Sequence, residues 1–261
     1  MTGANPRGFE PWAWAAFALG LATVGLLLFL GWRPGGAAPV LAYRWGPLVL
    51  GGAAAALLFF ALLWCALRRP VLQRGRVAPL AVLAASLWFC SFPLAYPSSH
   101  EGHPSQVRFV LPFRGEARVR WGGERHETNR LLFDPSRRFG FCFEPISDEA
   151  LVVRAPAAAR VERSDDSHLG RTLVLAVRPN EFLCLAGLDP DSIEVHPGEE
   201  LEAGALLGRS AGLYVHLQDG REIGHCEGIP LRFWSYEADH RPVELGVPLP
   251  PQTVRPLDGD R

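Results

Sequence analysis

The chain has 261 residues, a length that allows about one or two domains. Its charge divides sharply, because residues 1–100 contain seven arginines and one acidic residue, whereas residues 101–261 contain nineteen arginines and twenty-six acidic residues. The acidic second part argues against nucleic-acid binding, which usually needs a basic face.

Three long uncharged stretches follow one another near the N-terminus. They cover about residues 11–32, 45–67 and 77–98. Each is long enough for a helix to cross the roughly 30 Å of a bilayer's hydrocarbon core. Tryptophans such as Trp12, Trp32 and Trp45 stand near the segment ends, as expected for interfacial aromatic residues. The sequence therefore predicts that residues 1–98 form a membrane anchor of three transmembrane helices rather than a cleaved secretory signal.

Arginine counting predicts the orientation of this anchor. The connection after the first stretch holds Arg33 and Arg44, whereas the connection after the second stretch holds four arginines. They are Arg68, Arg69, Arg74 and Arg76. Because arginine-rich connections stay in the cytoplasm, we expect the four-arginine connection inside and everything after about residue 98 outside.

The second part of the chain is predicted to be all β. Segments rich in β-branched, aromatic or leucine residues are bounded by Gly, Pro, Asp or Asn. The predicted strands are 107–111, 117–121, 139–144, 151–154, 172–178, 182–186, 214–218 and 231–234. The sequence thus predicts a polar linker at 99–106, a β domain at 107–240 that folds alone from about residue 105 to 243, and a proline-rich, extended or loosely attached tail at 241–261.

One stretch of this β domain, residues 182–218, carries a family resemblance. Its part 192–209 consists of short strands separated by turns, two of them at Gly204 and Gly208, where glycine permits a tight reversal. Together with the strand 214–218, it resembles the second half of the M23 (LytM-like) zinc peptidase domain.

Further motifs upstream are similar to one branch of that family. They lie at residues 111–115 (LPFRG), 129–139 and 155–161. The resemblance covers about residues 107–234, and it implies a duplicated-hybrid-motif-like β fold behind the predicted anchor.

The resemblance also implies where a zinc site would lie. In the family, a histidine and an aspartate of the early motif and the second histidine of an HxH pair hold zinc, while two further histidines assist the chemistry. The assisting histidines fall on Gly187 and Tyr214, the aspartate on Cys142, and the last ligand on His216. The early histidine falls, depending on the alignment, on Arg130, Leu131 or Arg138. Because a catalytic zinc needs three protein ligands, the resemblance implies a degenerate site.

Cys142 leaves two interpretations open. A thiolate is a good zinc ligand, so Cys142 and His216 could form a rebuilt site with Cys184, Cys226 or His225 as the third ligand. Alternatively, Cys142 and Cys184 are buried apolar residues, or they form a disulfide between neighbouring strands, which an extracytoplasmic setting permits.

Two functions are compatible with these features. The first is a non-catalytic M23-like module (a pseudoenzyme) that needs no cofactor and binds peptidoglycan, or regulates or scaffolds a cell-wall enzyme or morphogenesis protein. The second is an active zinc metalloendopeptidase of M23 type that acts on peptidoglycan cross-links. Both predict a multi-pass protein of a bacterial cytoplasmic (inner) membrane whose C-terminal domain is extracytoplasmic. A lipoyl or biotinyl carrier is excluded, because carriers attach their cofactor to a lysine and this chain has none.

Overall fold

The computed structural model describes residues 10–68, 73–167 and 170–257. The chain divides into a helical unit that ends at Pro97 and a β unit that begins at Ser98. Arg69 of the four-arginine connection and the last four residues of the tail lie outside the described residues. The helices are α1 (Pro11–Trp32), α2 (Ala37–Leu67) and α3 (Arg74–Ser91).

In the described part of the chain, two helices rather than three have the length and apolar composition of a membrane span. They are α1 and α2, and this assignment rests on length and composition alone. The helix α3 ends at Ser91, seven residues before the end of the predicted third span, because Phe92 precedes Pro93. A residue before proline is disfavoured in the helical region, and Phe92 has extended backbone with φ −82° and ψ 126°.

Small residues let the three helices approach one another closely. A Cβ atom at Gly20 of α1 would lie 2.5 Å from Val82 Cγ1 of α3, and one at Gly51 of α2 would lie 3.0 Å from Cys90 Cβ of α3. The buried residues they share are Trp12, Ala13, Ala16, Ala61, Cys65 and Leu83. All three helices therefore belong to one packed unit.

The β unit contains thirteen strands within the described residues, and they pair antiparallel in a single sheet. They are β1 (Phe113–Arg114), β2 (Ala117–Trp121), β3 (Phe141–Pro145), β4 (Leu151–Arg154), β5 (Ala159–Ser167), β6 (Gly170–Arg178), β7 (Glu181–Leu188), β8 (Glu200–Leu201), β9 (Leu206–Gln218), β10 (Gly228–Ile229), β11 (Phe233–Ala238), β12 (Arg241–Gly246) and β13 (Thr253–Pro256). The main path runs β12-β11-β13-β2-β3-β9-β7-β6-β5-β8. The long strand β9 also pairs with β4 and β10, so it joins most of the unit together.

One face of the central strands forms the hydrophobic core. Phe141 and Phe143 of β3 and Val215 of β9 point into it and are almost fully buried. The rings of Phe141 and Phe143 stack with centroids 5.9 Å apart, and both meet the edge of Phe233. Because side chains alternate along a strand, the residues between them, including Cys142 and His216, point to the opposite face.

The predicted strands 117–121 and 151–154 have the bounds that the structure gives, whereas 107–111 does not form a strand. There only Phe109 makes an isolated bridge, to Phe233. The tail 241–261 is not loosely attached over its described part. It supplies β12 and β13, and β13 pairs with β2 and β11. The reason is that Val254 of β13 is fully buried and completes the core.

The residues predicted as a polar linker are fixed to the β unit. We call residues 98–105 the linker strap. Ser99 donates from its backbone N and its Oγ to Glu227 Oε2, at 2.9 and 2.7 Å, and Glu227 is fully buried. Further along the strap, His100 Nε2 lies 3.2 Å from Asp219 Oδ2. The strap therefore satisfies a buried carboxylate that would otherwise be costly to desolvate.

Candidate functional site

Three neighbouring strands bring the sequence-predicted site residues together. In the register, Cys142 of β3 lies opposite Tyr214 of β9, and Cys184 of β7 lies opposite His216 of β9. Directly opposite residues of an antiparallel pair share a face, and so do residues two apart on one strand. All four side chains therefore lie on one face of the sheet, which we call the His216 face.

Among the residues that the structure describes, His216 is the one imidazole on this part of the sheet, and its surroundings keep it neutral. The side chain is buried, and its Nε2 lies 3.2 Å from Gln218 Oε1. Burial lowers the pKa of His216 to about 4, and the nearby positive charge of Arg137 acts in the same direction. A neutral imidazole is the form that binds metals, but one ring nitrogen is already used by Gln218.

A small cavity opens beside His216. Its volume is about 30 Å³, which is enough for a water molecule but not for a peptide. Tyr214, Leu131 and Arg137 line it together with His216. A guanidinium in the wall of the same cavity opposes the binding of a metal cation, because like charges repel strongly where water is scarce. The Nε of Arg137 is 3.8 Å from Asp134 Oδ2, so the nearest carboxylate is already paired.

A loop of the chain itself covers part of the His216 face. We call residues 219–227 the covering loop. Its Ile223 lines the cavity and packs against the buried cluster that contains Phe182 and Cys184. Ser136 Oγ accepts a 2.9 Å hydrogen bond from the backbone N of Gly224, which holds the loop from the other side. This loop explains why the cavity is so small.

Gly187, at the position of one assisting histidine, has a structural role. Its φ is 88°, a conformation that residues with a Cβ rarely adopt, and it lies at a register shift between β7 and its neighbours. Its carbonyl accepts a 2.6 Å hydrogen bond from Ser210 Oγ. A histidine could therefore not replace Gly187 without strain.

The cysteines do not form disulfides, and all five are free. Of the two interpretations left open for Cys142 and Cys184, the structure agrees with buried residues and excludes a disulfide, because β9 lies between their strands. Two strand spacings separate them by about 10 Å, whereas a disulfide needs Cα atoms within about 7 Å. Burial raises the pKa of Cys142 to about 11, so without a metal the group at this position is a protonated thiol near neutral pH.

The other candidate ligands do not come to His216. Cys226 donates its Sγ hydrogen to the carbonyl of Glu222, at 3.0 Å, and His225 is exposed with its Nδ1 3.1 Å from the Glu222 carboxylate. Among the residues that the structure describes, no group of three or more His, Cys, Asp or Glu side chains could hold a metal ion. The residues present therefore do not fit the zinc centre of the M23 resemblance, and the absence of bound zinc stays a prediction.

Three residues could occupy the position of the family's early histidine, and none of them forms part of a metal site. Leu131 lines the cavity beside His216, whereas Arg138 is buried and its Nη2 lies 3.3 Å from Glu101 Oε1 of the linker strap. Arg130 is exposed, and its guanidinium lies 5.5 Å from the ring centre of Trp121. None of the three could replace an imidazole as a ligand.

Several residues of the site escaped the sequence reasoning. Gln218 and Arg137 contact or face His216, and Ile223 covers it, but none of them was singled out. Trp121 lies beside the site with its ring centre 5.7 Å from that of Tyr214. The sequence contained a signal for one of them, because the two-residue period of a strand places Gln218 on the same face as His216.

Comparison of the sequence with known family models gives no match, and comparison with curated proteins gives none. Solved structures similar to part of this chain include the SpoIIQ–SpoIIIAH pore forming complex, with a TM-score of 0.37 and 11% identity over 48% of this chain and 89% of that one. The catalytic domain of the prophage-encoded M23 protein EnpA from Enterococcus faecalis gives a TM-score of 0.31 and 14% identity over 48% and 92%. Lysostaphin from Staphylococcus simulans gives 0.33 and 11% over 48% and 52%. M23 proteins thus occur among the similar structures, but at TM-scores below 0.5 they assign neither the fold family nor an activity.

Proposed function

We propose that the chain is a membrane-anchored, non-catalytic M23-like protein whose β unit lies outside a bacterial cytoplasmic membrane, where it binds cell-wall material or organises a cell-wall hydrolase. One observation carries the non-catalytic part of this proposal. At the positions that the M23 resemblance assigns to zinc ligands and assisting histidines, His216 is the one imidazole, and it is bonded to Gln218 and shares its cavity with Arg137.

The chemistry of peptide hydrolysis supports the same conclusion. A hydrolytic zinc centre needs three protein ligands and an open position, where the metal lowers the pKa of a bound water. Cys142 is a protonated thiol, and burial raises the pKa of Tyr214, so neither supplies a base near neutral pH. The covering loop also leaves too little space beside His216 for a peptide. A binding partner would therefore contact the rim of this face.

The extracytoplasmic location depends on whether α3 crosses the membrane. If only α1 and α2 cross, the β unit returns to the side of the arginine-rich connection, which is the cytoplasm by the positive-inside rule. The 18 residues of α3 rise about 27 Å, close to the roughly 30 Å that a span needs. Phe92 and Leu94 follow with exposed apolar side chains, which would extend the apolar length. These features favour a third crossing.

A direct test combines metal analysis with a digest. The full chain, purified in neutral detergent without chelator and kept reduced, would be analysed for zinc and incubated with cross-linked peptidoglycan. We expect far less than one zinc per chain and no release of soluble fragments. His216→Ala and the exposed control His196→Ala should both behave like the parent. Near one zinc per chain, with fragment release that only His216→Ala abolishes, would establish the active zinc peptidase instead.

A second measurement tests the binding role. The same preparation would be mixed with insoluble peptidoglycan and sedimented, and it would be added to a cell-wall hydrolase assay. Cosedimentation supports wall binding, and altered hydrolase activity supports regulation. If neither occurs, the proposed role is wrong even when the protein is inactive as a peptidase.

A further inference from the structure

A second cavity lies at the edge of the His216 face, where one residue of the covering loop lines it. Its volume is about 550 Å³, within the range of pockets that hold small molecules. Three arginines line it: Arg160 of β5, Arg178 at the end of β6, and Arg221 of the covering loop. We call it the arginine pocket.

The register of the sheet explains why a pocket forms at this place. Arg160 lies opposite Ala176, and Ala176 lies opposite Phe182, so the three form a row across β5, β6 and β7. The short side chain of Ala176 leaves a gap between two long neighbours. On one side of this gap, the Cζ of Arg221 lies 5.8 Å from the ring centre of Phe182. The pocket therefore combines an apolar floor with a cationic rim.

Two of the three arginines that line the pocket have no ion-pair partner among the described residues. Its one lining carboxylate, Glu162, lies 3.5 Å from Nε of Arg221. Arg160 and Arg178 make no ion pair or side-chain hydrogen bond with a described residue. Glu200 lies opposite Arg160 on β8 and Glu181 lies opposite Arg178 on β7, but neither glutamate forms an ion pair with the arginine it faces. Three guanidinium groups and one carboxylate leave two positive charges in a region of sequence that is acidic overall.

We propose that the arginine pocket binds a phosphate group, carried either by a soluble molecule or by a lipid headgroup. Guanidinium groups hold phosphate oxygens through paired, charge-assisted hydrogen bonds, and two unbalanced positive charges match a phosphate. Ala176 and Phe182 provide apolar contact for the carbon skeleton of such a ligand. The exposed amide of Asn180, in the hairpin turn between β6 and β7, adds a neutral hydrogen-bond donor at the rim. This proposal does not depend on the M23 resemblance.

The first experiment titrates the full chain in neutral detergent with glycerol 1-phosphate at low salt, with glycerol as the uncharged control. We expect saturable binding of the phosphate ester alone, weakened by added salt. The double variant Arg160→Gln/Arg178→Gln should raise the dissociation constant at least about tenfold. Arg232→Gln, which removes an exposed arginine outside the pocket, should leave the dissociation constant within about twofold.

A further variant distinguishes binding inside the arginine pocket from non-specific attraction between the phosphate and positive charges on the surface. Ala176→Leu keeps every charge but fills the floor between Arg160 and Phe182. It should weaken binding to a similar degree, with an unchanged circular dichroism spectrum. If Ala176→Leu binds as well as the parent, the phosphate does not occupy this pocket and the proposal fails.

A second arm identifies the source of the phosphate. The full chain would be placed in nanodiscs of phosphatidylcholine with or without phosphatidylglycerol, and its thermal unfolding followed. A rise of the midpoint with phosphatidylglycerol that the Arg160→Gln/Arg178→Gln variant removes assigns a lipid headgroup. Binding of glycerol 1-phosphate without that rise assigns a soluble ligand. Binding of neither probe, or binding that the double variant retains in full, overturns the proposal and leaves the zinc and peptidoglycan tests unaffected.

Discussion

His216 Nε2 lies 3.2 Å from Gln218 Oε1, two residues further along the same face of β9. The neighbours of this polar pair are largely apolar. Ile223 of the covering loop lies on one side, and the buried Cys184 lies opposite His216 on β7. The imidazole thus has a partner in its neutral form, and burial together with the positive charge of Arg137 outweighs the carboxylate of Asp134, which favours the charged form.

This burial predicts acid sensitivity. In the unfolded chain His216 takes up a proton near pH 6.5, whereas in the folded chain it does so only near pH 4. Its contribution to stability is therefore complete above about pH 6.5 and falls as the pH drops towards about 4, by on the order of 3 kcal/mol in total. Urea unfolding of residues 98–261 at about pH 7, 6 and 5 would measure this loss.

Replacing His216 should remove its contribution to the pH dependence of stability. His216→Leu is expected to flatten the stability profile over the same interval, whereas the exposed control His196→Ala should keep the slope of the parent. An unchanged slope in His216→Leu would assign the acid sensitivity to another group.

His100 of the linker strap should make the stability depend on pH in the opposite direction, because its pKa is raised rather than lowered. The hydrogen bond to Asp219 raises the pKa of His100, and the charges of Asp219 and Glu227 act in the same direction against partial burial. The stabilisation is present below the unfolded value near 6.5 and is lost as the pH rises through the folded value. Asp219→Asn keeps an oxygen for the backbone N of Glu227 and should lower the pKa of His100, as measured by NMR titration. An unshifted pKa in that variant would show that the contact does not form in solution.

The boundaries of the self-folding piece should differ from those expected from sequence. A fragment of residues 98–261 retains the strap and both C-terminal strands, whereas 105–243 leaves the buried Glu227 without its Ser99 donors and removes Val254 from the core. A lost partner of a buried charged group costs about 1–3 kcal/mol or more. We expect β-rich circular dichroism and cooperative unfolding only for the longer piece. A fragment of residues 98–243 isolates the effect of the strands, and equal stability of all three would contradict the assignment.

Gly187 offers a test of backbone strain at the site. Gly187→Ala should destabilise the β unit by about 1–2 kcal/mol, because its φ of 88° is unfavourable for any residue with a Cβ. Gly212→Ala on β9 is the matched control, since a Cβ there meets no atom within 4 Å and the φ is not positive. Equal unfolding midpoints for the two variants would argue against backbone strain at Gly187. For the same reason, restoring histidine at this position should not restore a metal centre.

Topology is tested by a reporter that is active only outside the cytoplasm. Fused after Asp260, it should be active, and inserted at Gln73 it should be silent, because three crossings put these points on opposite sides. Two crossings would place both on the same side. Activity at Gln73 or silence at the C-terminus would therefore remove the cell-wall role together with the third span.

The sequence predicted most reliably what depends on local pattern. The strand 117–121 alternates buried Ala117 and Val119 with exposed arginines, so its bounds were correct. The third span was predicted too long, because an apolar count does not register that Pro93 and Pro97 end the helix. β12 was missed since its residues are largely exposed and include Pro242, which makes the strand look like a polar tail.

The candidate site was only partly predictable, because its decisive contacts are non-local. His216, Tyr214 and Cys142 could be placed by motif and period. The cavity wall formed by Arg137 and the cover formed by Ile223 depend on how loops return to the sheet, for which the sequence has no periodic signal. The sequence could not decide between buried thiols and a Cys142–Cys184 disulfide for a related reason, since strand order is set by long-range pairing rather than by order along the chain.

The central place of β9 in the sheet has a consequence for how readily its backbone hydrogen bonds open. Its residues 213–215 are paired with β3 on one side, and residues 214–218 are paired with β7 on the other, whereas β12 is an edge strand. In deuterium exchange, the amides of residues 214 and 215, which are paired on both sides, should exchange only when the whole unit opens, while those of β12 should exchange through fraying. His216 therefore directly follows the residues expected to exchange most slowly, and we expect a ligand at the rim of the His216 face to contact a rigid strand.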